Sequence, residues 1–135
     1  MYEPYTRQAL PEKQCRELLG TSICVFNANN AFIIENILNN NEGEFDWYQL
    51  IDKTSGKLKP SVKKHLTDEI YNLFENLVDR RNRIIHSFQV TYEEQQILAT
   101  KDTQHHQFII TEDYLLQFIK DNEILNSQLH EFRGH

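Results

Sequence analysis

The spacing of apolar residues along the chain predicts a mainly helical protein. Over most of the sequence they recur at three- and four-residue steps, as on one face of an α-helix. The first such segment, Leu10–Leu19, has Pro11 suited to the first helical position and Gly20 suited to the end. Thr21 or Ser22 can cap a second helix that reaches about position 38 and is apolar on most sides. We expect that helix to lie centrally in a bundle or between two protomers.

The clearest helical pattern lies in the middle of the chain. It starts near Pro60, after a less regular region in which residues 54–56 are predicted to form a loop. Its apolar stripe consists of Val62, Leu66, Ile70, Leu73, Phe74 and Leu77. The stripe runs directly into a basic segment, so this third helix is expected to present the charges at residues 80–83.

After Phe88 the spacing changes from that of a helix to that of a strand. Two short apolar runs, residues 96–100 and 107–111, flank the polar stretch Lys101–His106 and predict a small β-hairpin. Thr111 then opens a last helix. The expected fold is mainly α, a helical bundle of four to five helices with a small β-hairpin before the C-terminal helix, forming one domain over residues 1–135.

Length and composition place the chain among ordinary globular proteins. With 135 residues, of which 39% are hydrophobic, it can form a core without disulfides or a metal. Cys15 and Cys24 have the wrong spacing for a metal or redox motif, so no metal site and no cofactor are expected. No apolar run approaches the roughly 18 residues of a membrane helix, and residues 1–5 lack the pattern of a signal peptide. We therefore expect a cytoplasmic protein with no membrane partner.

Charge singles out one segment as a candidate for chemistry. The net charge of −6 argues against a protein that coats nucleic acid without specificity. Arg80, Arg81 and Arg83 nevertheless concentrate three guanidinium groups around Asn82, and His86 follows closely. Guanidinium suits phosphate oxygens, and imidazole can accept and release a proton near neutral pH. This set is what metal-free cleavage of a phosphodiester requires, with Arg80 and Arg83 as further phosphate-binding residues.

The position of Arg81 within the helical pattern leaves two geometries open. The apolar stripe continues from Leu77 onto Arg81, where a cation is costly unless it is paired or lines a cleft. Glu35 stands at a similar apolar position of the second helix, so a Glu35–Arg81 contact is one hypothesis, and a solvated Glu35 is the other. In the second geometry, the helix is not continuous through Arg81. It breaks at Arg80-Arg81, and Asn82 caps a new helix.

The segment Arg81-Asn82-x-x-x-His86 resembles the R-x4-6-H motif of the HEPN superfamily (higher eukaryotes and prokaryotes nucleotide-binding), with the aromatic Phe88 two residues after the histidine. The resemblance implies a homodimer through the motif-bearing helices and a metal-independent endoribonuclease. It further implies that His86 transfers protons, Arg81 stabilises the scissile phosphate and Asn82 orients it. Such enzymes act in toxin–antitoxin, abortive-infection and CRISPR-linked defence systems, so an antitoxin or larger defence complex is a further expected partner. In one branch of the superfamily, a nucleotidyltransferase antitoxin modifies a tyrosine at the position of Phe88. Because Phe88 has no hydroxyl, that regulation is not expected in this chain.

Two other functions remain open at the level of sequence. A catalytically silent HEPN-like module would bind a nucleotide or act as a dimerisation scaffold and needs only the bundle. An unrelated helical adaptor would instead use the basic helix end as a solvated patch against an acidic partner. The ribonuclease requires Arg81 and His86 to converge in a cleft, with Glu35 and Phe88 as supporting residues, whereas the adaptor predicts exposed and diverging side chains.

Overall fold

A computed structural model describes residues 5–40 and 46–134 of the chain. The elements are α1 (Lys13–Asn40), α2 (Trp47–Ile51), α3 (Ser55–His65), α4 (Asp68–Ile85), β1 (Phe88–Tyr92), β2 (Gln95–Lys101), β3 (Gln107–Ile110) and α5 (Glu112–Arg133). The prediction of a mainly α fold with β-structure before the last helix is confirmed. The β-structure is larger than the predicted hairpin, because β1 adds a third strand. None of the helices described in these two ranges is long and apolar enough to cross a membrane.

The first two predicted helices are one continuous helix, so the predicted stop at Gly20 is wrong. Gly20 lies inside α1, and Ser22, the predicted cap, donates a hydrogen bond from its Oγ to the carbonyl of Leu18 (2.8 Å). Leu18 and Ile23, on either side of the glycine, both pack against the core. Burial of apolar residues on both sides stabilises a helix more than one glycine disfavours it, since glycine costs only about 1 kcal/mol there.

The third predicted helix is in fact two helices, and the predicted loop at 54–56 is the start of the first. Thr54 caps α3 by accepting a hydrogen bond from the Lys57 amide (3.3 Å). The backbone then becomes extended at Leu66, and Thr67 caps α4 by accepting from the Ile70 amide (3.1 Å). Leu66 stays buried in this break, which explains why the apolar spacing continued through it.

The core lies between α1, α4 and α5. The ring of Phe26 on α1 stacks between Phe74 of α4 and Phe118 of α5, with centroid distances of 6.3 and 6.2 Å. Next to these rings, the buried Asn29 on α1 donates from Nδ2 to the backbone carbonyl (2.7 Å) and side-chain oxygen (3.1 Å) of Asn122 on α5. The stack and the amide pair together fix how α1 lies against α5.

The three strands form an antiparallel sheet in the order β1-β2-β3. Its inner face contributes Leu98 and Ile110 to the core, and Thr100 donates from Oγ1 to the carbonyl of Arg83 at the end of α4 (2.8 Å). The residues whose side chains alternate to the other side define what we call the outer face. They are Phe88, Val90, Tyr92, Gln95, Ile97, Ala99, Lys101, Gln107 and Ile109.

Candidate functional site

The basic segment forms the last turn of α4, which decides between the two geometries left open by the sequence. The helix is continuous through Arg81 and ends at Ile85, and His86 is its C-cap. The His86 amide donates to the carbonyl of Asn82 (3.0 Å), as expected within a helix. Asn82 therefore does not cap a new helix. The motif lies at the end of α4, where cations are favoured by the negative end of the helix dipole.

Arg80 holds α4 against α5. Its Nη1 and Nη2 atoms donate to one carboxylate oxygen of Asp121 at 2.8 and 2.6 Å, and both side chains are largely buried. The guanidinium also lies over the ring of Phe118, with Cζ 5.4 Å from the centroid. The sequence predicted Arg80 as a phosphate-binding residue. In the structure Asp121 compensates its charge, so its first role is to join two helices.

Arg83 joins α4 to the sheet. Its Nη1 donates to the carbonyl of Lys101 at the end of β2, while its own carbonyl accepts from Thr100. Because the acceptor is a neutral carbonyl, no carboxylate among the described residues compensates the charge of this guanidinium. Arg83 is half-buried at this junction and adds positive potential beside the motif.

Arg81 differs from Arg80 and Arg83 because, within the described residues, its guanidinium has neither an ion pair nor a hydrogen bond. Its side chain is half-buried and lies over the ring of Phe26, with Cζ 5.1 Å from the centroid. Desolvation by burial lowers the pKa of Arg81 from its ordinary value. Among residues 5–40 and 46–134, no carboxylate forms an ion pair with it, and its Nε is buried without a hydrogen-bond acceptor. The Nε atoms of Arg80 and Arg83 are also unbonded, but those two guanidiniums donate elsewhere.

The hypothesis of a Glu35–Arg81 contact is wrong. Glu35 is exposed and forms an ion pair with Arg133 of α5, with 3.8 Å between Nη1 and Oε2. Arg81 contacts α1 at Phe26, nine residues before Glu35, and nine residues of α-helix span about 13 Å. Glu35 is therefore too far along α1 to reach Arg81. It occupies the solvated edge of the helix instead.

One chain does not bring the arginine and the histidine of the motif together. Arg81 faces the core, whereas His86 is exposed at the helix end. Five residues of α-helix turn the side-chain direction by about 140°, so the two side chains leave α4 on different sides. Asn82, half-buried, lies between them in sequence, and the exposed Ile85 adjoins His86. Phe88 is placed further on, on the outer face of the sheet.

Sequence reasoning missed the residues that position the cluster. Asp121 and Thr100 are 41 and 17 residues away from the arginines that they contact, and no local pattern links them. Within the described part of the chain, no group of three or more His, Cys, Asp or Glu side chains is arranged to hold a metal ion. His105 and His106 lie in an exposed loop in which His106 pairs with Asp102 (3.3 Å).

Comparison with known proteins adds no relative. The chain matches no protein-family model, no curated protein and no solved structure.

Proposed function

We propose that this protein is a metal-independent endoribonuclease of the HEPN type that acts as a homodimer. The observation that carries the proposal is the state of Arg81. A half-buried cation that has neither an ion pair nor a hydrogen bond among the described residues is unfavourable, and such groups are concentrated at functional sites, where a ligand supplies the missing charge. The scissile phosphate of RNA would supply that charge. The resemblance of the Arg81–His86 segment to the R-x4-6-H motif gives the reaction class.

In the proposed reaction, His86 accepts the proton of the ribose 2′-hydroxyl, and the 2′-oxygen attacks the adjacent phosphorus. The bond from phosphorus to the 5′-oxygen breaks, and that oxygen takes up a proton from water to become a 5′-hydroxyl, while His86 returns its proton to solvent. Arg81 stabilises the charge on the phosphorane, and Asn82 orients the phosphate. The other product end is a 2′,3′-cyclic phosphate, which water can open to a 3′-phosphate. Because the nucleophile is the 2′-hydroxyl, the activity is confined to RNA.

A second copy of the chain is part of the proposal because Arg81 and His86 diverge within one copy. The exposed side of α4 carries Glu75, Asn76 and Asp79, so two copies packed along its length would oppose like charges. At the helix end, however, Ile85 is apolar and exposed beside His86. We therefore place the contact of the homodimer at the C-terminal ends of the two motif-bearing helices. An antitoxin or a larger defence complex is the regulator that this proposal implies.

The same divergence favours a second candidate function. If the two motif residues never meet, the chain is a catalytically silent HEPN-like module that binds a nucleotide or serves as a dimerisation scaffold. Arg81 would then bind a phosphate without cleaving it. The two candidates differ in the role of His86, which only the ribonuclease needs.

The proposal is tested by an assay of RNA cleavage in EDTA. The assay compares purified wild type, His86→Ala and the matched control His105→Ala. His105 is another exposed histidine, in the loop between β2 and β3. We expect wild type and His105→Ala to cut RNA to cyclic-phosphate or 3′-phosphate ends, and His86→Ala to lose cleavage by at least a hundredfold, the lower range for a general base. Cleavage retained in His86→Ala overturns the assignment, and no cleavage by a well-folded wild type favours the silent module.

Complementation tests the shared site. We expect Arg81→Ala and His86→Ala to be inactive alone, and a mixture refolded together to recover part of the activity. In mixed dimers, one protomer supplies Arg81 and the other supplies His86. A mixture that forms dimers and stays inactive rules out a site built from both copies.

A further inference from the structure

The outer face of the sheet is largely apolar, and several of its large side chains are exposed in the described part of the chain. Antiparallel sheets with one face in solvent normally carry polar side chains there. Here Phe88, Tyr92 and Ile109 are 39%, 62% and 45% exposed, and Val90 and Ile97 lie among them. A cluster of large apolar residues that one chain leaves in water is characteristic of a binding surface.

The one charged residue among the nine of this face is positive. None of its nine residues is Asp or Glu, although the chain has 20 acidic residues among 135, and one of the nine is Lys101. Lys101 ends β2 at the side of the sheet where Arg83 contacts it and where His86 leads into β1. Glu93 and Glu94 lie in the turn beyond the opposite end. Lys101, Arg83 and His86 therefore lie at one end of this face, where Asp102 follows Lys101, and Glu93 and Glu94 lie beyond the other end.

The two aromatic rings follow the candidate catalytic histidine along one strand. Phe88 is two residues after His86, and Tyr92 is four residues further on the same face. At about 3.3 Å per residue, the two rings are separated by about 13 Å along β1. This distance corresponds to about four nucleotides at the stacked spacing of roughly 3.4 Å. The rings are therefore placed to hold bases next to a phosphate at His86.

We propose that the outer face binds single-stranded RNA by stacking bases on Phe88 and Tyr92, and that it directs the strand to His86. Aromatic rings on a solvent-facing sheet stack bases with little dependence on sequence. Gln95, Gln107 and Lys101 at the rim provide donors for phosphates and base edges. This inference rests on the proposed ribonuclease function and assigns its substrate-binding surface.

A single strand fits this face better than a second protein copy does. The three strands contain five, seven and four residues, which at about 3.3 Å per residue and 4.8 Å between strands gives a face of about 250 Å². A stable protein interface buries about 800 Å² on each partner. Stacking, in contrast, needs only individual exposed rings, so the small face suffices.

Stacking on the outer face is tested by the binding of a fluorescein-labelled single-stranded DNA 12-mer, measured by fluorescence anisotropy. DNA is not cleaved in this assay, because it lacks the 2′-hydroxyl. Phe88→Trp and Tyr92→Phe keep an aromatic ring, whereas Phe88→Leu and Tyr92→Leu keep only an apolar side chain. We expect each Leu variant to weaken binding by roughly tenfold or more and the aromatic variants to bind as wild type does. Ile124→Leu, at an exposed apolar residue of α5, is the matched control and should have no effect.

Leu variants that bind within twofold of wild type overturn the inference. The inference is also overturned if Phe88→Asp changes the molecular mass measured by light scattering and nucleic acid does not compete with the association of protein copies. The face is then a protein interface. The outcome is separable from that of the proposed function. Cleavage that depends on His86 but not on Phe88 defeats only the stacking surface, whereas ring-dependent DNA binding without any RNA cleavage defeats only the ribonuclease.

Discussion

The guanidinium of Arg81 lies on the ring of Phe26, with 5.1 Å from Cζ to the ring centroid. Phe26 is itself stacked between two core phenylalanines, so the cation touches the end of the aromatic core. The ring offers a cation–π contact worth about 1–2 kcal/mol, but it does not neutralise the charge. Burial lowers the pKa of Arg81, because desolvation disfavours the charged form. We interpret this as a charge kept for a ligand rather than for stability.

Replacing Arg81 and Arg80 separately should have different effects on stability. We expect Arg81→Met to leave the free energy of unfolding unchanged or slightly higher, because removing a desolvated cation that no anion compensates offsets the loss of the cation–π contact. Arg80→Met should lower it by about 1–3 kcal/mol, because Asp121 loses the guanidinium that it binds at 2.6 Å. Urea unfolding of both variants beside wild type checks this.

Arg80→Lys is the conservative control for that pair. It keeps a charge near Asp121 but loses the two-nitrogen contact. Its free energy of unfolding should therefore lie between those of wild type and Arg80→Met. A loss in Arg81→Met as large as that in Arg80→Met would contradict the interpretation, since Arg81 would then be a stabilising residue.

The sequence was most informative where apolar spacing reflects burial. The positions Phe74 and Leu77 of the central stripe are fully buried, and the mainly α fold followed from such spacing. The same signal concealed the break at Leu66, because a buried residue at a helix end looks like one inside a helix. The stop signal at Gly20 gives the opposite error, because it predicts a helix end where α1 continues. Gly20 is a weak signal, and core contacts on both sides of it outweigh it.

The candidate site was predictable only in its chemical composition. The concentration of guanidiniums and the position of Arg81 on an apolar stripe were visible in the sequence, and Arg81 does face the core. What each arginine contacts was not visible, because Asp121 and Phe26 come from other helices. Helical spacing alone indicates Glu35 as the partner of Arg81, whereas Glu35 pairs with Arg133. Apolar spacing indicates which face of a helix is buried. It does not indicate at which positions along their axes two helices contact each other.

Gly20→Ala should stabilise the protein. Gly20 is an exposed residue inside α1, and a Cβ added there meets no atom within 4 Å. Alanine reduces the conformational entropy of the unfolded chain and favours the helix, so we expect a gain of about 0.5–1 kcal/mol. Thermal unfolding by circular dichroism measures it. A loss of stability would mean that α1 is interrupted at this residue.

The buried amide pair between α1 and α5 should be sensitive to truncation. Asn29→Ala removes the donor to two oxygens of Asn122, and we expect it to cost about 1–3 kcal/mol of unfolding free energy. Asn126→Ala is the control, because its bond to the Asn29 side-chain oxygen is long (3.4 Å) and only partly buried. We expect that variant to lose less than about 1 kcal/mol. Equal losses in both variants would show that the Asn29–Asn122 bonds are not the stabilising element.

The loop between β2 and β3 should respond to acid through Asp102. Its Oδ1 accepts the backbone N–H groups of His106 (3.0 Å) and Gln104 (2.8 Å), and these bonds hold the pKa of the carboxyl below its ordinary value of 3.8. Because the folded pKa is lowered, the stabilisation is fully present above 3.8 and is lost as the pH falls through the folded pKa.

NMR titration of Asp102 should therefore give a midpoint below 3.8, and the amide resonances of Gln104 and His106 should move with it. Asp102→Asn keeps an oxygen that can accept both N–H groups but has no carboxyl to titrate. In that variant the two amides should show no transition in this pH range. A midpoint at or above 3.8 in wild type, or the same amide transition in Asp102→Asn, would show that the carboxylate does not order the loop.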